Sequence, residues 1–298
     1  MQLPLRRRTN AILFEMLAGY DIVAYMDYSP ASYLFVHLPR IVRRGATAVM
    51  HLEAPLAQVQ NPPRMLRFLY EGIIGRCDVY SGITEFVSRD FEEKRHRKPG
   101  YILPVGVDTK TFTPPIERKN AKPVVLFAGT LIERKGPQHV IAAATRFPQA
   151  EFKLVGSGRH GFDETLKCLI KEQGLTNVTL EGPKSQPEML ECMRDSDIFL
   201  LPSRLEGIPK VTLEAAATGL PCVVFRDYET PSVVDGKTGY QAGTIEEMML
   251  ALEKLILDRT LRQRMGAAAR EHVQQFDWDL VADLWRKAYL EIASARAK

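Results

Sequence analysis

At 298 residues the chain is long enough for two domains rather than one small core. Hydrophobic residues make up 45% and charged residues 26%, which excludes a chain dominated by disorder. The formal excess of +4 falls within residues 1–113, and the four cysteines, Cys77, Cys168, Cys192 and Cys222, form no Cys-x-x-Cys pair, which argues against a disulfide framework or zinc ribbon and fits a reducing cytoplasm.

The chain opens with Arg6, Arg7 and Arg8 ahead of an apolar run. Glu15 and Asp21 interrupt that run and no small-residue cleavage site follows, so a signal peptide is not expected. No window reaches about 18 uninterrupted apolar residues, so no spanning helix is predicted. The stretch "NAILFEMLAGY" reads as one amphipathic helix. Short apolar runs then follow at "DIVAYM" (21), "ATAVMH" (46), "DVYSGI" (78) and "YILPVGV" (101), predicting about four strands with helices between them. Basic clusters recur at Arg40, Arg43 and Arg44 and at Lys94–Lys98. Such clusters either face water or attract anionic lipid headgroups at about 1 kcal/mol for each basic residue near the surface. No binding module accompanies them, so nucleic acid is not expected as a partner.

"FTPPIERKNAKP" (112–123), with three prolines and a charged run, reads as a linker, giving expected domains of 1–113 and 114–298. Beyond it the apolar runs "VVLFAG", "FKLVG", "VTLEG", "IFLLPS", "CVVF" and "GYQA" alternate with helical segments such as "GPQHVIAAATRF". Continuous rather than alternating apolar strands are buried on both faces, which predicts a doubly wound, Rossmann-like parallel sheet. From residue 245 the pattern is helical, and the final helix has Phe276, Leu280, Leu284 and Tyr289 on one side, expected to pack at the domain junction.

The informative stretch is "IFLLPSRLEGIPKVTLEAAATG". It predicts a buried strand, a loop carrying Glu206, and a helix with Pro209 at its first position, where the missing N–H has no intrahelical partner to lose. The free amides near Lys210 and Val211 form an anion site. Glu206 sits at the carboxyl end of the strand, where ligands of such sheets gather. Glu214 follows roughly 7.5 Å along the helix axis. Two carboxylates flanking an anion site suit a molecule with a diphosphate in its middle and hydroxyls at both ends, such as a nucleotide sugar. Taken singly, each acid is more often a solvated surface residue; order and spacing favour the ligand.

"EGIPKVTLEAAATGLPCVV" resembles the signature of retaining glycosyltransferases of family 4 (glycosyl transferases group 1). "LPVGVDTKTFTP", "VVLFAGTLIERKG", "FKLVGSG" and "DSDIFLLPS" resemble that family's interdomain stretch, phosphate-binding segment, next strand and turn, and motif-feeding strand. The resemblance implies a GT-B-like α/β fold, two Rossmann-like domains facing a cleft. It also implies that the chain enters after the family's usual first strand and glycine-rich loop, so that its N-terminal domain is truncated and its exposed sheet is covered by a partner, belongs to a truncated gene product, or is remodelled.

By the same resemblance Glu206 contacts the donor sugar and Glu214 the ribose, Lys135 neutralises the donor diphosphate, and His51 faces the sugar from the N-terminal domain. Donor-binding positions are Gly129, Thr130, Arg134, Lys135, Gly156, Glu206, Gly207, Ile208, Pro209, Lys210, Val211 and Glu214. Thr130 stands where the family usually has Arg, and its hydroxyl brings no charge; Arg134 is the substitute. Glu53 and Asp27 are weaker cleft candidates. Asp195, Ser196 and Asp197 precede the strand and read as helix end and strand entry rather than a metal site.

No metal and no cofactor is expected; the substrate is a nucleotide sugar (UDP- or GDP-) with a glycan or lipid-linked saccharide as acceptor. The expected place is the cytoplasm at the inner membrane face. Two alternatives stay open: a non-catalytic nucleotide-sugar-binding half of an assembly or an inactive truncated homologue, and a nucleotide-sugar epimerase, for which the needed N-terminal acids are not identifiable.

Overall fold

A computed structural model describes residues 22–26, 47–56, 77–159 and 161–296. The expected N-terminal amphipathic helix, the arginine clusters at 6–8 and 40–44, and Asp27 lie outside the described residues. The chain divides into two compact units, Met1–Pro104 with Ala282–Lys298, and Val105–Val281.

In the first unit, β1 (Ile22–Tyr25), β2 (Thr47–Leu52), β3 (Val79–Gly82) and β4 (Tyr101–Ile102) form a parallel sheet in sequential order. Strand β2 is its apolar centre, with Ala48, Val49, Met50 and Leu52 all at 1% exposure or less. Helix α1 (Glu85–Arg95) starts on Thr84, whose side chain accepts from Val87 N–H, and ends at His96 in a left-handed conformation. Lys94 and Arg95 occupy its last turn, where cations oppose the helix dipole favourably.

The second unit carries β5 (Val124–Ala128), β6 (Glu151–Val155), β7 (Val178–Leu180), β8 (Ile198–Leu201), β9 (Cys222–Phe225) and β10 (Gly239–Ala242). They form one parallel sheet in the order β10-β9-β8-β5-β6-β7. Strands β5, β8 and β9 are buried along their whole length, as their unbroken apolar runs require. Each of Phe127, Phe152, Phe199 and Phe225 is essentially inaccessible, a burial that stabilises by roughly 1.5–3 kcal/mol per side chain. The crossovers are α2 (Pro137–Arg146), α3 (Phe162–Glu172), α4 (Gln186–Arg194) and α5 (Lys210–Ala217), followed by α6 (Ile245–Leu257), α7 (Arg259–Val273) and α8 (Trp278–Arg296).

Three expectations change. The division falls after Pro104 rather than at 113, because Val107 N–H donates to Phe276 O, Trp278 N–H donates to Val107 O, and Phe112 is buried, tying 105–112 to the second unit. The proline-rich stretch is no loose linker: Arg118 within it donates to the carbonyls of Ser196, Gly219 and Thr218. In α8 the buried positions are Val281, Ala288 and Ile292, while Leu280 and Leu284 are 58% and 44% exposed. The small and β-branched residues allow close approach, and the leucines fall on the other side. The helix begins in the second unit, and its residues from Ala282 belong to the first.

Candidate functional site

In the second unit the sheet order reverses between β5 and β8, which pair through Val125↔Ile198 and Leu126↔Phe199. Such a switch point opens a crevice at the carboxyl ends of its two strands. The loop leaving β5 carries Gly129, Thr130 and a 3-10 turn, Glu133–Lys135; the loop leaving β8 carries Ser203, Glu206, Gly207, Ile208 and Pro209.

The two loops converge on Glu206, which is 8% exposed. Its Oε1 accepts from the Ser203 hydroxyl at 2.7 Å and lies 3.2 Å from Lys135 Nζ and 3.5 Å from Arg134 Nη1. Arg134 Nη1 also donates to Leu205 O, pinning its guanidinium to the Glu206 loop. The backbone fixes this meeting. Gly136, which ends the 3-10 turn at φ 75°, sits so close to Pro202 that a Cβ there would lie 2.4 Å from the Pro202 carbonyl oxygen. Only glycine accepts both that φ and that approach.

Pro209 is the N-cap residue rather than the first helical one, with φ −73° and an extended ψ of 98°. Its carbonyl accepts from both Thr212 N–H and the Thr212 hydroxyl, at 2.9 and 2.8 Å. The amides of Lys210 and Val211 precede the first intrahelical donor and have no carbonyl a turn behind them. Glu214 stands one turn after Lys210 on α5. Burial raises its pKa to about 7, with Lys210 pulling in the opposite direction. No described residue hydrogen-bonds its carboxylate.

Gly129 and Gly156 lock the exits of β5 and β6 together. Gly129 N–H donates to Val155 O, and a Cβ on Gly156 would lie 1.8 Å from the Gly129 carbonyl oxygen. Thr130 lies between, its carbonyl accepting from Ile132 N–H. These residues shape the loop floor beside Lys135, whose aliphatic chain would lie 3.4 Å from a Cβ on Gly129.

His51 belongs to the first unit and is 4% exposed. Its Nδ1 is hydrogen-bonded with the Ser81 hydroxyl and its Nε2 with the Tyr289 hydroxyl at 2.6 Å, while the Trp285 ring packs against it at a tilt of 40° with centroids 4.6 Å apart. Desolvation lowers its pKa to about 4, so the ring is neutral at pH 7. Glu53 is exposed just beyond β2. In the second unit Asp195 ends α4, and Asp197 accepts from Val124 N–H and Asn120 at the amino ends of β5 and β8, the side of the sheet opposite to Glu206.

Sequence reasoning missed Ser203, whose only signal was its place three residues before Glu206. It also missed Tyr228, 3% exposed beyond β9, whose hydroxyl pKa is raised by burial and then by the charge of Glu206.

The family model for glycosyl transferases group 1 matches residues 108–272, more than half of the chain and all of the crevice just described. The chain belongs to the glycosyl transferases group 1 family. Among similar proteins, a GDP-mannose-dependent monoacylated alpha-(1-6)-phosphatidylinositol monomannoside mannosyltransferase of Corynebacterium glutamicum is 30% identical over 69% of this chain and 60% of its own. A D-inositol 3-phosphate glycosyltransferase of Corynebacterium aurimucosum is 29% identical over 83% of this chain and 66% of its own. The chain thus spans less than two thirds of the length of these relatives. Solved structures share its GT-B fold. Sucrose-phosphate synthase from Thermosynechococcus elongatus gives a TM-score of 0.78 at 18% identity, covering 99% of this chain and 81% of that one. Anabaena HepE in complex with UDP and glucose gives 0.77 at 18% identity, covering 96% and 80%.

Proposed function

We propose that this group 1 family chain transfers a sugar from a nucleotide-sugar donor to a hydroxyl of a glycan or lipid-linked saccharide. The observation that carries this reading is the convergence of Glu206, Lys135 and Arg134 at the β5/β8 switch point, beside the amino terminus of α5. In this reading the donor diphosphate meets Lys135, Arg134 and the amides of Lys210 and Val211. The half-buried Glu214 carboxylate, which no described residue hydrogen-bonds, accepts from the ribose hydroxyls, and Glu206 accepts from hydroxyls of the sugar.

The chemistry follows from that placement. The bond between the anomeric carbon and the departing phosphate oxygen breaks as the acceptor oxygen attacks on the same face, and the acceptor proton passes to the departing phosphate. Anomeric configuration is kept. Charge growing on the leaving group is met by fixed cations and oriented amides, so the reading requires no metal. His51, with both ring nitrogens engaged and its ring neutral, is assigned to the packing of the first unit.

Donor and acceptor class draw support from relatives. One is named as GDP-mannose-dependent and acts on a phosphatidylinositol mannoside, and a structural neighbour holds UDP and glucose. UDP- and GDP-sugars both remain within the reading, at the cytoplasmic membrane face. The test is incubation of the full chain with isotope-labelled UDP- and GDP-sugars plus a lipid and glycan extract, in the presence of a chelator. Label moving to an extract component supports transfer. Binding without turnover supports a non-catalytic nucleotide-sugar holder, and isomerised donor supports an epimerase.

A further inference from the structure

At the amino-terminal side of the second unit's sheet, opposite to Glu206, lies a cavity of about 440 Å³ walled by the 114–120 strap, the Asp197 strand entry and α7. Four guanidiniums line it: Arg118, Arg259, Arg262 and Arg270. No described carboxylate forms an ion pair with any of them. Their hydrogen bonds go to main-chain carbonyls instead: Arg118 to Ser196, Thr218 and Gly219, Arg262 to Leu255 and Ile256, and Arg270 to Phe112, Ala217 and Thr109. Among the described residues Arg259 donates only to Arg118 O, at 3.3 Å.

Carbonyl bonds satisfy donors without cancelling charge. Two acids share the lining, and both are engaged elsewhere. Glu117 pairs with Lys119 at 3.5 Å, and Asp197 accepts from Val124 N–H and Asn120. Burial pulls the pKa of Arg118, Arg262 and Arg270 below the usual guanidinium range, with Asp197 offsetting this only in part at Arg118 and Arg262 and Asp277 doing so at Arg270. Four cations thus converge on one hollow with unused N–H donors, above all on Arg259. Guanidinium forks of this kind match phosphate oxygens in pairs. The prolines at 114 and 115 and the fully exposed Ile116 form an apolar lip on the strap.

We propose that this cavity is a second anion site, separate from the β5/β8 crevice, and that it takes the phosphate group of a compact phosphate-bearing molecule whose apolar portion rests on the strap. The inference stands independently of the proposed transferase activity.

The probe is inorganic phosphate titrated calorimetrically into the full chain at constant ionic strength, in the Lys135→Ala background so that the crevice contributes less. Gln263 lines the cavity from an exposed position on α7, so Gln263→Glu adds a carboxylate without touching any arginine bond. Arg259→Gln removes the least committed guanidinium. Each change should weaken phosphate binding about tenfold, the scale of one charged hydrogen bond, with unfolding temperatures in chloride unchanged. Absence of phosphate binding in the Lys135→Ala protein, or binding that both variants leave intact, overturns the proposal.

Discussion

Lys135 Nζ lies 3.2 Å from Glu206 Oε1, joining the loop that leaves β5 to the loop that leaves β8 across the reversal of the sheet. The same oxygen accepts from Ser203 and neighbours Arg134. One carboxylate therefore holds two cations, and under the proposed function a donor diphosphate competes with Glu206 for them. Lys135→Ala should weaken UDP or GDP binding about tenfold to a hundredfold, the worth of a charged hydrogen bond, with little change in unfolding temperature. Calorimetric titration with each nucleotide checks this; unchanged affinity for both removes Lys135 from the site.

Glu214 makes a pH prediction. Its folded pKa of about 7 lies above the ordinary carboxyl value, so folding favours the protonated form. Its contribution to stability therefore falls as pH rises from about 4.3 to 7. Glu214→Gln should leave stability unchanged near pH 4 and raise it near pH 8 by up to about 3 kcal/mol, while weakening nucleotide binding. Wild-type nucleotide affinity should rise through pH 7 as the carboxylate ionises, and the variant should lose that rise. Denaturant unfolding and titration at pH 4, 6 and 8 provide the readouts.

His51 behaves in the opposite sense. Its folded pKa of about 4 lies below the ordinary imidazole value, so the fold favours the neutral ring. Stability should fall as pH drops from about 6.5 to 4, because the unfolded chain takes up the proton first. His51→Gln should flatten that fall and cost about 1–3 kcal/mol at pH 7.5 through lost bonds to Ser81 and Tyr289. A variant whose stability keeps the wild-type pH slope contradicts the assignment.

Gly136→Ala tests the backbone that brings the two loops together. A Cβ 2.4 Å from the Pro202 carbonyl, at φ 75°, forces one loop to move. The expected cost is about 1–3 kcal/mol of stability, accompanied by weaker nucleotide binding as Lys135 and Glu206 separate. Wild-type values of both would show that the approach is not needed.

Much of this architecture was legible in the residues. All ten described strands fall on apolar runs visible in the sequence, and the clearest runs are β5, β8 and β9, which are buried along their whole length and so cannot alternate. Glu206 and Glu214 were legible from the strand, turn and helix signals around them. The orientation of α8 was not: the leucines draw the eye to one side, whereas burial follows Val281, Ala288 and Ile292. Nor was the anchoring of the 112–123 stretch, since Arg118 bonds carbonyls some 78 to 101 positions away. Prolines and charges read locally as a linker; only tertiary structure shows what they hold. Ser203 and Tyr228 stayed hidden for the same reason.

The most direct measurement pairs nucleotide affinity with sugar transfer in Glu206→Gln. Removing the charge frees Lys135 and Arg134 for the diphosphate, so affinity for UDP or GDP should hold or tighten, while transfer of labelled sugar should fall about a hundredfold through the lost contact to the sugar. Transfer at the wild-type rate, whatever happens to nucleotide affinity, would contradict the assignment of Glu206 to the donor sugar.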